Sequence, residues 1–211
     1  MSEPQRIAET TEDWQERIEQ TRAKLEDRPE PPPSGPSDIE LEAHERRWGS
    51  RIPARYRDAR LDHLDGDTAH AREWDGASNV LLIGNVGAGK TWAAVALART
   101  AHDRGDEVLF RPSVKLLDDL RPDGPHDAYQ RACTVDLLVL DDLGAERRTD
   151  WTADRISAVL VSRYDDCLPT IVTSNLAPER LEETVGARIW SRLWDGALRV
   201  KVAGSDRRKV A

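Results

Sequence analysis

Cysteine is scarce in this chain of 211 residues, with only Cys133 and Cys167 present. Two thiols so far apart in sequence supply neither a disulfide framework nor a four-ligand zinc site, and they read as buried or half-buried free thiols. Long apolar runs are missing too. No stretch approaches the ~20 residues needed to cross a bilayer, and the opening MSEPQRIAETTEDWQERIEQ is charged from its start, with no apolar signal region. These absences predict a cytoplasmic protein without membrane contact. Nor is there an excess of positive charge. The formal net charge is −8, and residues 1–78 carry 12 Lys and Arg against 19 Asp and Glu, whereas residues 79–211 carry 19 against 20. A whole-molecule attraction to nucleic acid is therefore excluded, and any such contact must come from a local basic patch. The acidic first third suits a protein partner better than a phosphate backbone. His44, His63, His70, His102 and His126 form no metal-ligand spacing, and no internal repeat is visible.

The length allows one α/β core with an appendage. Near the start, Ile7, Trp14, Ile18 and Leu25 fall on one helical stripe. That stripe fits a helix packed on its own core or a docking helix for a partner. The proline-rich RPEPPPSGPS that follows reads as a semi-rigid linker, which favours a tethered element. Ser37 then fits the N-cap of a second helix, DIELEAHERRW. The chain divides accordingly into a partner-docking helix at 1–27, a linker at 28–37, a helical approach segment at 38–78 and a core at 79–211.

Within the core the pattern repeats as strand, loop and helix. Val80–Ile83, Glu107–Phe110, Asp136–Leu140, Thr170–Thr173 and Leu198–Val202 are short, mostly apolar and β-branched, as strands of a parallel sheet covered on both faces should be. Thr91–His102, Ser113–Leu120, Thr152–Tyr164 and Glu179–Leu193 have room for helices. The alternation predicts a three-layer α/β fold with a parallel sheet of about five strands.

Between the first strand and the first helix lies Gly84-Asn85-Val86-Gly87-Ala88-Gly89-Lys90-Thr91, which fits G-x-x-x-x-G-K-[ST] in the context that motif requires. The glycines let backbone N–H groups wrap phosphates at a helix N-terminus. Lys90 is placed to reach the β- and γ-phosphates, and the Thr91 hydroxyl to ligate Mg²⁺. A second acidic element is then needed, and LLVLDD supplies it: Asp141 to hold the metal, Asp142 to polarise the attacking water. Asn175, at the end of PTIVTSN, is a sensor candidate that orients the water or the γ-phosphate. ATP and Mg²⁺ are the implied ligands. Trp190 and Trp194, four apart on one helix face, read as core or subunit-interface packing.

GNVGAGKT, LLVLDDLGAE, TIVTSN and VGARIWSRLWDGA, in this order, resemble the AAA+ ATPases of the DnaC/IstB group over roughly residues 50–209. That group contains helicase loaders and the ATPase subunits of certain transposons. The resemblance implies that RIPARYRDARL, with Tyr56, lines the adenine side, that Asn175 is the first sensor, and that Arg192 is an arginine finger for a neighbouring subunit, with Arg188 as the alternative. It places Arg207 near a second sensor. Three features depart from the group: Asp142 stands where Glu is usual, no cysteine-rich zinc module precedes the core, and there is no sizeable C-terminal lid.

Two regions are candidates for single-stranded DNA: Lys115 and Arg121 around the helix after the second strand, and Arg147 and Arg148 beside Trp151. An arginine pair next to an aromatic suits a phosphate groove with a stacking platform; the bland alternative is a solvated loop feeding a helix capped near Thr149 or Asp150. The favoured expectation is an ATP-controlled loader that grips a replicative helicase through residues 1–27 and self-associates in a ring, spiral or filament on DNA. A transposition ATPase is the alternative within the group. Outside it stand a small-molecule P-loop kinase, against which the paired aspartates and Asn175 argue, and an ATP switch that does not hydrolyse.

Overall fold

The computed structural model describes residues 37–204 and 206, with positions 19 and 23 isolated before them. The expected docking helix, the proline-rich stretch up to residue 36 and Arg207 lie outside the described residues. Helix α1 (Asp38–Arg51) starts where the sequence predicts it. Ser37 Oγ accepts from the Glu40 N–H, and the Glu40 carboxylate accepts from the Ser37 N–H at 2.8 Å, a reciprocal cap. Three 3₁₀ turns, Ala54–Tyr56, Leu61–His63 and Gly66–Glu73, then carry the chain to the sheet.

The core alternates as expected: β1 (Val80–Gly84), α2 (Lys90–Asp103), β2 (Val108–Pro112), α3 (Ser113–Asp119), α4 (Ala128–Thr134), β3 (Leu137–Asp141), α5 (Asp150–Asp165), β4 (Thr170–Ser174), α6 (Pro178–Val185), α7 (Ala187–Trp194) and β5 (Leu198–Val202). The five strands are all parallel and lie in the order β2-β3-β4-β1-β5. Two features differ from the sequence expectation. The segment after Arg121 holds the short helix α4, and Glu179–Leu193 is not one helix. Gly186, at φ +85°, breaks it into α6 and α7, because a left-handed residue cannot continue a right-handed helix.

Alternation along each strand sorts the core into two layers. Val80 and Leu82 join Val139 and Ile171 on one face, under α2, α1 and the 3₁₀ turns. Leu81, Leu138, Leu140 and Val172 face α3 to α7 on the other. Helix α2 is buried nearly all round, and its Ala93, Ala94, Ala96, Ala98 and Ala101 let it sit close between the sheet and α1. The α1–α2 contact is partly polar. The His44 and His102 rings stack at 4.0 Å, Trp48 packs on His102, and Arg99 joins Glu45 of α1 to Asp103 of α2. Burial lowers the His102 imidazole pKa, because it disfavours the charged form.

Trp190 and Trp194 meet with ring centroids 4.7 Å apart, Trp190 within the core cluster and Trp194 partly buried against it. Thr149 caps α5, also as expected.

Candidate nucleotide site

In a parallel sheet the C-terminal strand ends share one edge, and here three of them carry the chemistry. β1 runs into the 84–91 loop, β3 ends at Asp141, and β4, lying between those two strands, leads to Asn175. The loop is drawn tight against the sheet. A Cβ on Gly84 would sit 1.8 Å from the Val202 carbonyl oxygen of β5, so only glycine lets these strands approach.

A cleft of about 470 Å³ opens at this edge. Val86, Gly87, Gly89, Lys90, Thr91, Asp141, Asp142 and Asn175 line it, together with Tyr56, as the sequence predicts. Gly84, Asn85 and Ala88 of the same loop are not among the lining residues. Arg55 lines the cleft too, from the stretch expected on the adenine side, whereas sequence reasoning missed His63 and Thr68 from the approach segment, Trp92 on α2 and Thr173 on β4. Only Trp92 carried a local signal, being the residue after Gly-Lys-Thr.

Lys90 is 6% exposed, and its Nζ donates to Gly84 O (2.9 Å), Asn85 O (2.6 Å) and Asn175 Oδ1 (2.7 Å). Thr91 and Thr173 both donate to Asp141 Oδ1, at 2.8 and 2.7 Å. Burial pushes the Asp141 carboxyl up; these two hydroxyls pull it back, the neighbouring Asp142 charge raises it again and Lys90 opposes that rise. A hydroxyl and a buried carboxylate oxygen in contact form a hard-oxygen donor pair, and that chemistry fits Mg²⁺.

Asp142 adopts φ +59°, a left-handed conformation that costs a non-glycine residue of order 1–3 kcal/mol and persists only where its surroundings hold it. Its N–H donates to Thr173 Oγ1 at 2.8 Å, and its Oδ1 accepts from Asn175 Nδ2 at 2.5 Å. Asn175 thus touches both the lysine and the second aspartate, which ties the three candidate groups into one unit.

The remaining sequence candidates lie elsewhere. Arg192, on α7, stacks over Tyr164 with its guanidinium carbon 5.0 Å from the ring centroid, and its Nη1 is buried without a hydrogen-bond partner among the described residues. Arg188 is exposed beside an open groove edged by Asp154, Asp165 and Asp166. Neither lines the cleft. Lys115 pairs with Asp119 at 3.0 Å, and Arg121 pairs with Asp118 at 3.3 Å. Arg121 also lies over Trp151 at 5.5 Å, and Arg155 lies over the same ring at 5.9 Å. Through Trp151 the two candidate DNA regions become one patch, with Arg147 and Arg148 exposed beside it. The Trp151 ring itself is partly covered by these guanidiniums, because cation–π attraction holds them on it; it is not a free stacking platform.

A family model described as IstB-like ATP binding protein matches residues 67–208. The chain is 30% identical over 190 residues to the putative insertion sequence ATP-binding protein y4pL of Sinorhizobium fredii, covering 77% of each chain. It is 27% identical over 167 residues to the replicative helicase loader DnaI of Bacillus subtilis, covering 71% of this chain but only 54% of that protein. Among solved structures, a crystal structure of DnaI superposes with a TM-score of 0.63 at 24% identity, covering 77% of this chain and 100% of that one. The DnaC helicase loader gives 0.62 at 23%, covering 71% and 99%. At such identities the two structures establish a shared fold alone.

Proposed function

We propose that this chain, which belongs to the IstB-like ATP-binding family, is an ATPase that loads a replicative DNA helicase. The observation that carries the ATPase reading is the linked set of Lys90, Thr91, Asp141, Asp142 and Asn175 at one sheet edge. Loop N–H groups and Lys90 bind the triphosphate. Thr91 and Asp141 hold Mg²⁺, which when bound neutralises charge on the phosphate oxygens. Asp142, steadied by Asn175, accepts a hydrogen bond from the water that attacks the γ-phosphorus as the bond to the β-phosphate breaks.

Arg192 serves a neighbouring copy in this reading. Arg192→Ala should leave ATP binding by the isolated chain unchanged within about twofold. It should remove the rise in turnover that accompanies self-association, an effect worth ~10³–10⁵-fold for the arginine fingers of GTPases. Turnover measured against protein concentration checks this; equal concentration dependence in the variant and the parent would sink the trans role.

The N-terminal segment is the helicase grip, and Lys115, Arg121, Arg147 and Arg148 contact single-stranded DNA. The likeness to the Bacillus loader supports this reading. A specific observation also supports a second one: the higher identity, over 77% of both chains, to an insertion-sequence ATP-binding protein. Light scattering with a replicative helicase from the same cell, with and without ATP, separates them. The loader reading expects a stable complex that is lost when the chain begins at residue 38. Absence of any complex, with ATP-dependent filaments on duplex DNA, would replace the loader by a transposition ATPase.

A further inference from the structure

Asp142 is held at both ends of its peptide, and one of the two groups that hold its carbonyl end comes from outside the acidic strand and its turn. Its carbonyl oxygen accepts from the Ala145 N–H at 3.1 Å, closing a tight turn, and lies 3.0 Å from Ser113 Oγ. Ser113 is the first residue of α3 and is 0% exposed. The same hydroxyl lies 2.6 Å from Glu146 Oε2, so its single proton serves two acceptors. Glu146 Oε2 also accepts from the Gly144 N–H at 3.0 Å. One carboxylate oxygen therefore joins the turn that follows Asp142 to the helix packed beside it. Glu146 is partly buried and appears in none of the cleft's lining, so it does not touch the phosphate region itself.

We propose that Glu146 and Ser113 are positioning residues for hydrolysis: together they clamp the backbone of Asp142 in its left-handed conformation and so aim its carboxylate at the water. The inference rests on the ATPase reading, in which Asp142 orients that water. The physical reason is that a left-handed aspartate relaxes by rotating about φ, and such a rotation swings the whole side chain. The bonds from Thr173 to the N–H side and from Ser113 to the carbonyl side hinder it from both directions. Glu146 keeps Ser113 and Gly144 in register so that the second restraint is available. Neither residue binds nucleotide in this account. Losing either one should degrade the alignment of the reacting groups and leave the phosphate-binding loop intact.

The test is steady-state ATP hydrolysis by the full chain with Mg²⁺, for the parent, Glu146→Ala, Glu146→Gln and Ser113→Ala, with thermal melting of each. Small misplacements of aligned groups cost on the order of 10²-fold in rate. Glu146→Ala and Ser113→Ala are therefore expected to lower kcat by roughly 10- to 100-fold, with KM for ATP within about twofold of the parent. Glu146→Gln keeps an amide oxygen for the same two donors and should retain most of the parent's kcat. A purely structural role would move melting temperature and KM alongside kcat and would not be rescued by glutamine. Should Glu146→Ala fail to fold, Ser113→Ala, which removes one oxygen without opening a large cavity, decides the matter. Unchanged kcat in Ser113→Ala beside an active parent overturns the clamp alone. A parent that binds ATP but never hydrolyses it overturns the ATPase reading and the clamp with it.

Discussion

Lys90→Ala is expected to lower ATP hydrolysis by roughly 10²–10³-fold, the range seen when a single preorganised donor to a developing oxyanion is removed. The structure adds a second cost. Lys90 donates to the carbonyls of Gly84 and Asn85 and to Asn175, whose amide in turn holds Asp142. Alanine removes the phosphate contact, strips a donor from two loop carbonyls, and frees the sensor amide to turn away from the second aspartate. Binding and chemistry should therefore both suffer. Nucleotide affinity by calorimetry and single-turnover hydrolysis would show this as a raised Kd together with a lowered rate at saturating ATP. A variant with parental Kd and rate would remove Lys90 from the site and the ATPase reading with it. Lys90→Arg is expected to fare little better, because a planar guanidinium does not reproduce the compact ammonium's three bonds to Gly84 O, Asn85 O and Asn175 Oδ1.

Arg163→Met is expected to cost about 3–5 kcal/mol of folding stability, because it leaves several buried carbonyls unpaired, although Arg163 does not line the cleft. Its side chain is 1% exposed in the interior between α4, α5 and the start of β4. It donates to the carbonyls of Val135 at 2.8 Å, Ala132 at 3.1 Å and Pro169 at 2.7 Å, and to Thr170 Oγ1 at 3.0 Å, with longer contacts to Cys133 and Asp136. Burial pushes the guanidinium pKa down to about 10, so it remains charged at neutral pH. Each buried carbonyl left unpaired costs about 1–3 kcal/mol. Methionine fills much of the volume and supplies no donor, so the loss is of hydrogen bonding rather than packing. Urea denaturation followed by tryptophan fluorescence measures the change. A loss below about 1 kcal/mol would mean that water or rearranged backbone replaces these bonds.

Arg163 also marks where the sequence is mute. In RISAVLVSRYDD it is one more arginine on an amphipathic helix, and nothing in its neighbours distinguishes a solvated cation from a buried hub. Arg121 and Trp151 make the same point from the surface. They are thirty residues apart in the chain, and each belonged to a separate candidate region until the fold set one on the other. Glu146 is a third case. As the last residue of LLVLDDLGAE it is visible, but its reach to Ser113 depends on α3 starting beside the acidic turn.

What the sequence by itself determined is what depends on local chemistry. A glycine-rich loop between an apolar strand and a helix, two aspartates ending another strand, and a capped start at Ser37 are each decided by residues within a few positions of one another. They are therefore legible, and so is the alternation that builds a parallel three-layer sheet. What only the tertiary structure decided is which distant segments share an edge. β4 follows β3 and α5 in the chain, yet it inserts between β3 and β1 in the sheet. That insertion lets Thr173 bond Asp141 and lets Asn175 bridge Lys90 to Asp142. The three-way contact comes from packing two apolar faces of a twisted sheet, a cooperative choice that leaves no mark on any single stretch of residues.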